Sequence, residues 1–337
     1  MCESRGSAII LQMAASARLT ACHFEDLRSI PASRMRPLLD EETRNWRSRL
    51  HWDFTGSTEL ITRYINMRAL DGVALVCGSE VAGYCYWVTE ERKAILGDLY
   101  VRDLWRSPQV ESQLLNQSVE TLRHSATLPA LSARRIESQL MQLSSASAIV
   151  WRGESAPLRF PRIFMLAPLE RLARYRAIAF DNEVRILHWG PVWFNSTAEL
   201  IAQVYRGHVD SLINDQYNSV TGAERFLRNI VNYPGCGAFQ HEASFVALGP
   251  TGDVLGCVIA TRVALETGHI AQVCAANAQQ GRGLGYELLR RSMLALQAGG
   301  CREVSLTVTE SNLRAQQLYA RMGFHSIHRF QAFVWNL

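Results

Sequence analysis

Three glycines, Gly281, Gly283 and Gly285, alternate with Arg282 and Leu284 in "AQQGRGLGYELLRRSMLALQ", residues 278–297. A helix face follows at once: Leu284, Leu288, Leu289, Met293 and Leu296 step by 4, 1, 4 and 3. The first turn of a helix leaves backbone N–H groups without partners. These groups carry the positive end of the helix dipole, and a phosphate docks there. Glycine lets the backbone approach such an anion and take positive φ. The chemistry suited to this spacing is the holding of a phosphorylated ligand at a helix start. A glycine-rich turn without a ligand accounts for the same residues.

Two common phosphate loops do not match. No GK[ST] of the Walker type occurs. A GxGxxG fingerprint counted from Gly281 would need glycine where Tyr286 stands. Glu303, about 20 residues on, opens the next strand rather than ending it.

The segment "REVSLTVTESNLRAQQLYARMGF", residues 302–324, separates the alternatives. Its β-branched, alternating start reads as a strand. Asn312 then opens a helix with Ala315, Leu318, Tyr319 and Met322 on its apolar face, and Gly323 stops it. Here the sequence resembles the GNAT superfamily of acetyl-CoA-dependent N-acetyltransferases. Gln280, Gly283 and Gly285 match the family's coenzyme loop, [QR]-x-x-G-x-[GA]. Asn312, Ala315, Leu318, Tyr319, Gly323 and Phe324 match its second signature, N-x-x-A-x-x-L-Y-x-x-x-G-F. The resemblance covers roughly residues 180–337.

The resemblance implies acetyl-CoA as co-substrate, direct attack by an amine and no metal. It assigns the coenzyme pyrophosphate to the backbone amides of Gln280, Gly281, Arg282, Gly283, Leu284 and Gly285. It assigns the pantetheine arm to the strand at Val273, Cys274 and Ala275, where a backbone N–H can also stabilise an oxyanion. Tyr319 takes the place of the general acid, although its helix position also suits the core. Asn312 is expected to contact the coenzyme or a water, and its residue type equally suits a helix cap.

The amine must lose a proton. Gln272, acting through water, and Glu310 are the candidates carried forward. His269, His241 and Glu242 are further candidates, and each of these groups also suits solvent or structural pairing. The acceptor would lie near "GHVDSLINDQYNS", residues 207–219, where Asp210, Asp215 and Tyr217 could hold a cationic amine. Ordinary loop polarity explains those residues too.

The elements that must position these groups occur twice. Val110, Leu114, Leu115, Val119 and Leu122 each lie 174 positions before the leucine-rich helix face. "AILGDLYVRD" (94–103) precedes them as "GHIAQVCAAN" (268–277) precedes the glycines. Further back, "VAGYCYWVT" (81–89) matches "VLGCVIATR" (254–262). Each copy reads helix, helix, strand, strand, strand, helix, strand. A repeat this long means duplicated domains.

Combined with the resemblance, this gives an α/β (α+β) fold of two tandem GNAT-like domains. Each is expected to be a mixed, mostly antiparallel sheet flanked by helices. The domains are expected at 1–170 and 171–337, with "FPRIFMLAPL" (160–169) as the first copy's final strand. The helix at 221–233 is expected to be capped by Thr221, with Glu224 completing a capping box.

At the 174 offset, Ser107, Gln109 and Glu111 replace the three glycines. Glu111 is expected to place a carboxylate where the phosphate would lie. No counterpart of the second signature follows "RRIESQLMQL" (134–143). The first copy is therefore read as non-catalytic, a structural partner or a cover for the acceptor.

Composition limits the rest. The chain has 337 residues, 48% hydrophobic and 20% charged, with a net charge of +4. That balance does not argue for a nucleic-acid or membrane partner. All cations but Lys93 are arginine. Eight scattered cysteines without CxxC speak against zinc and for reduced thiols. The apolar stretch at 7–17 is short, broken by Gln12 and preceded by Glu3 and Arg5, unlike a secretory signal. A cytoplasmic monomer or homodimer is expected.

The expected activity is acetyl transfer to a primary amine of a small molecule or protein, carried by the C-terminal domain. The alternative is an acyl-CoA-binding sensor or regulatory pseudoenzyme without turnover. A longer acyl chain is a third option.

Overall fold

The elements follow the duplicated order. The first half contributes β1 (Cys22–Asp26), α1 (Ala32–Leu50), α2 (Thr55–Asn66), β2 (Gly72–Cys77), β3 (Glu80–Glu90), β4 (Lys93–Val101), α3 (Pro108–His124), β5 (Arg135–Met141) and β6 (Leu158–Pro168). The second contributes β7 (Arg185–His188), α4 (Phe194–Val204), α5 (Val209–Ile213), α6 (Val220–Asn232), β8 (Ala238–Phe239), β9 (Phe245–Leu248), β10 (Val254–Ala264), β11 (Thr267–Ala275), α7 (Leu284–Ala298), β12 (Glu303–Thr309), α8 (Leu313–Arg321) and β13 (His325–Asn336).

The structure is a computed structural model that describes residues 22–90, 93–125, 135–145, 148–153, 155–180 and 184–337. The apolar stretch at 7–17 lies outside the described residues. Among them, no helix is long and apolar enough to cross a membrane.

By its contacts the chain forms two compact units. Unit 1 comprises Met1–Asn45, Thr58–Arg159 and Phe330–Leu337, and unit 2 comprises Trp46–Ser57 and Phe160–Arg329. A single cut at 170/171 does not describe this division, because three segments change sides. Residues 160–169 do form a strand, but that strand is part of unit 2. There β6 runs antiparallel to β12, from Glu303↔Pro168 to Thr309↔Arg162. Its alternating residues Ile163, Met165 and Ala167 enter the core that also holds α7. Unit 1 ends instead on the last residues of β13, which pair with β5 and bury Phe333 and Trp335.

In unit 1 the strand order is β1-β2-β3-β4-β5-β13. All neighbours are antiparallel except β4 and β5. Val110, Leu114, Leu115, Val119 and Leu122 of α3 are buried against this sheet. Cys22 and Cys77 face each other across β1 and β2 and form a disulfide. The expectation of reduced thiols is corrected for this pair: strand register brings together two cysteines 55 positions apart.

In unit 2 the order is β6-β12-β11-β10-β9-β7, with β8 paired to β10. Only β11 and β12 are parallel. Helix α7 covers one face with Leu284, Leu288, Leu289, Met293 and Leu296, all at most 2% exposed. Helices α4 and α6 cover the other face. The cap of α6 is Ser219, which accepts the Gly222 N–H at 3.0 Å. Thr221, expected as the cap, lies inside the helix.

The helix starts differ between the two units. Helix α3 begins two residues before Val110, whereas α7 begins on Leu284 itself. Thus α3 extends half a turn further toward its N-terminus, starting on Pro108 with Ser107 as cap. Ser107 Oγ accepts the Val110 N–H at 3.3 Å. Glu111 does not project into an open helix start, as the sequence suggested. It is fully buried, accepting the Ser144 N–H at 3.0 Å and Arg106 Nε–H at 3.1 Å. No helix corresponding to α8 follows β5 among the described residues.

Because β13 completes the unit 1 sheet, Trp335→Ala should cost about 3–5 kcal/mol of unfolding free energy. Chemical denaturation followed by hydrogen exchange at the β5 amides measures this. An unchanged midpoint and unchanged β5 protection would refute the strand's structural role.

Candidate active site

The site begins where two parallel strands part. β11 and β12 pair from Thr267↔Glu303 to Ile270↔Leu306 and no further. β11 continues to Ala275 along β10. Its other backbone edge is thereby left open to a ligand. β11 also carries one extra residue: Gln272 pairs with Ile259, and Ile270 with the next residue, Ala260. Ala271 is the bulge. A bulge resets which side chains share a face. Ile270 consequently enters the core beneath α7, while Cys274 joins the core beneath α4 and α6.

A cavity of about 1050 Å³ opens at this divergence. From β11 it is lined by Gln272, Val273, Cys274 and Ala275. The following turn contributes Gln280, Gly281, Gly283, Leu284 and Gly285, and α8 contributes Asn312 and Tyr319. Arg282, expected in the loop, is exposed and is not among the lining residues.

The turn is built from left-handed glycines. Gly281 has φ +82° and Gly283 has φ +86°. Gly283 is the N-cap of α7, and no side chain among the described residues caps that helix. The amides of Gln280 and Arg282 already donate to the carbonyls of Asn277 and Gln279. Those of Gly281, Gly283, Leu284 and Gly285 have no acceptor among the described residues. An anion at the helix start would meet these four amides. A Cβ on Gly283 would lie 2.4 Å from Ile178 Cδ1. The Ile178 backbone is held by Glu287, whose carboxylate accepts its N–H at 3.1 Å. Hydrogen bonds from Arg290, Ile178 and Arg291 hold the Glu287 carboxyl below its usual range against the opposing effect of burial.

Asn312 serves two purposes. Its Oδ1 caps α8 by accepting the Ala315 N–H at 3.2 Å. Its Nδ2 lies 3.3 Å from His208 Nε2. Tyr319 is 9% exposed, and its hydroxyl makes no hydrogen bond to protein among the described residues. Burial, followed by the charges of Asp210 and Cys274, pushes its pKa up. The phenol therefore keeps its proton at neutral pH and is a donor.

Gln272 is 4% exposed. Its Nε2 donates to the Tyr205 hydroxyl at 3.0 Å, and the Tyr217 hydroxyl lies 3.5 Å from its Oε1. The two tyrosine rings stack at 4.3 Å. Burial raises both phenol pKa values, with the Asp210 charge contributing. The Asp210 charge thus acts on three of the tyrosines that line the cavity, Tyr205, Tyr217 and Tyr319. Its Oδ1 accepts from Thr309 Oγ1, and its N–H donates to His208 Nδ1 at 3.1 Å.

The remaining candidates lie elsewhere. Glu310 pairs with Arg329 and does not line the cavity. His269 is buried against Phe164 and edge-on to Trp52; its Nδ1 is 2.9 Å from Ser305 Oγ, and burial lowers its pKa to about 4. His241 and Glu242 form an exposed pair at 3.0 Å. Asp215 opens a short turn outside the lining. Tyr205, His208 and Arg162 do line the cavity, yet the sequence reading did not single them out. None belongs to either signature, and no spacing links them.

The Acetyltransferase (GNAT) family model matches residues 210–324. The chain is 36% identical over 69 residues to the N-alpha-acetyltransferase MAK3 of Arabidopsis thaliana, a match spanning 20% of this chain and 36% of that protein. It is 37% identical over 63 residues to a mycothiol acetyltransferase of Corynebacterium jeikeium, spanning 19% of this chain and 18% of that protein. The match thus spans well under two thirds of either relative.

Solved structures extend the likeness of fold to nearly the whole chain. A GCN5-related N-acetyltransferase from Sphaerobacter thermophilus superposes with a TM-score of 0.65 at 17% identity, covering 93% of this chain and 95% of that one. A tandem GNAT protein from the clavulanic acid biosynthesis pathway gives 0.54 at 14% identity, covering 93% and 98%. Residues 210–324 thus match the GNAT acetyltransferase family model, and the likeness of the remaining residues is one of fold.

Proposed function

We infer that unit 2 transfers an acetyl group from acetyl-CoA to a primary amine, and that unit 1 has no catalytic role. One observation carries the reading: an uncapped helix start, an open strand edge and a protonated tyrosine line one cavity. Bound acetyl-CoA would supply an acetyl group activated as a thioester. The amides of Gly281, Gly283, Leu284 and Gly285 suit its pyrophosphate. The edge of β11 at Val273, Cys274 and Ala275 suits its pantetheine amides.

The chain's own groups then manage charge and protons. Asp210 attracts the ammonium of the acceptor into the cavity. Water held at Gln272 takes the proton that the amine must lose. In the reaction an N–C bond forms and a C–S bond breaks. Tyr319 delivers its proton to the departing sulfur. Glu310 has no part, since its carboxylate is engaged with Arg329.

Unit 1 lacks the corresponding helix start. Ser107 occupies the cap of α3, and the fully buried Glu111 adds a negative charge to that first turn.

Tyr319→Phe should lower kcat by about 10²-fold while leaving thermal protection by acetyl-CoA intact. Undiminished turnover would remove Tyr319 as the acid, and coenzyme binding without thiol release from any amine would favour a sensor. Gly285→Glu places a carboxylate at the helix start without crowding, because the nearest heavy atom, Leu318 Cδ2, is 3.8 Å from its Cβ position. It should abolish coenzyme protection against thermal unfolding; unchanged protection would refute the loop assignment. Calorimetric titration of the wild type should show one coenzyme site per chain. A second stoichiometric site would overturn the view of unit 1.

A further inference from the structure

The acceptor side of the cavity contains an unmatched positive charge. Arg162 lines the cavity from β6, directly opposite Thr309 on β12. Its Nε is buried without a hydrogen-bond partner among the described residues. No carboxylate lies within ion-pair distance of its guanidinium among the described residues. Asp210, which lines the same cavity, is bonded instead to Thr309. The Arg162 charge is nevertheless felt within the cavity, since it opposes the upward shift of the Tyr217 phenol.

A buried guanidinium donor without a partner is costly, and native proteins rarely leave one so. The partner is therefore to be sought in what the cavity binds. A guanidinium presents a planar fork of N–H donors that matches a carboxylate in two parallel hydrogen bonds. Asp210 faces the same cavity with the opposite charge. Two opposite charges, not joined to each other, suit a molecule that carries both.

We propose that Arg162 binds a carboxylate on the acceptor, so that the preferred substrate is a zwitterionic amino acid whose amine is drawn to Asp210. This rests on the acetyl-transfer reading above and narrows its acceptor class. The bond changes are those of that reaction; Arg162 takes no proton and acts by positioning.

The test compares glycine, β-alanine and 4-aminobutyrate with their amides and with propylamine, using thiol release from acetyl-CoA. For the best chain length, kcat/KM for the amino acid should exceed that for its amide by about 10- to 100-fold, the range expected for a charge-assisted pair. Arg162→Gln should collapse this ratio through KM, and Arg162→Lys should restore part of it. A ratio within each protein is insensitive to a general loss of folded enzyme.

Equal rates on acids and amides in the wild type would overturn the proposal while leaving acetyl transfer standing. So would a ratio that survives Arg162→Gln. 2-Aminoethyl phosphate distinguishes the anion: preference for it over every amino acid would overturn the carboxylate assignment. If no amine is acetylated, the reaction fails instead. Calorimetric binding of the amino acids to coenzyme-loaded protein then decides the proposal. Binding that Arg162→Gln abolishes upholds it; binding independent of Arg162, or no binding, overturns it.

Discussion

The parting of β11 from β12 is the constraint around which unit 2 is organised. Backbone donors and acceptors must find partners, and β11 beyond Ile270 has lost those on one edge. A ligand entering the gap can supply them. The bulge at Ala271 completes the effect by turning Gln272 and Cys274 away from the face that packs on α7. Helix α7 then starts beside the open edge with its amides exposed, and α8 brings Tyr319 to the same cavity.

Unit 1 has the same frame with its interior filled. β4 and β5 also pair in parallel for four residues, from Lys93↔Arg135 to Leu96↔Ser138, and then stop. Two residues further along β4 lies Asp98, 174 positions before Gln272. It is buried beside Glu42 and Tyr84, and burial lifts its carboxyl to about 6. A Cβ at the adjacent Gly97 would fall 2.1 Å from the Tyr86 ring. Side chains thus take up space that unit 2 leaves as a cavity. The two units share sheet geometry because packing depends on the leucine faces, whereas a ligand site depends on what those faces leave empty.

This contrast explains what could be read from the sequence. The helix-start half of the candidate site was legible because it is a backbone device: left-handed glycines, a capping Asn312 and a terminating Gly323 are residue types with few substitutes. The acceptor half was legible only in part. Asp210 and Tyr217 stand out in the polar stretch at 207–219, but Arg162 comes beside Thr309, the partner of Asp210, only because β6 pairs with β12, and a strand's register partner is not written in its own alternation. The segment 160–169 reads as a strand, yet its pattern does not say which sheet it will join. Ser219 and Thr221 are both good caps, and only the helix geometry chooses between them. Glu111 was assigned the right helix turn but the wrong direction, since burial against Arg106 and Ser144 depends on a loop that arrives some thirty residues later.

The allocation of strands to units also sets a timetable. Unit 1 contains the earliest strands of the chain, but its sheet lacks an edge until Phe330–Leu337 arrives. As the chain emerges from the ribosome, β5 must wait with an open edge while all of unit 2 is made. Open edges recruit foreign strands, so this interval is when the nascent protein is most exposed to aggregation. A break between the halves would separate each sheet from its closing strand, so the two copies cannot be parted into independent proteins by cutting once between them.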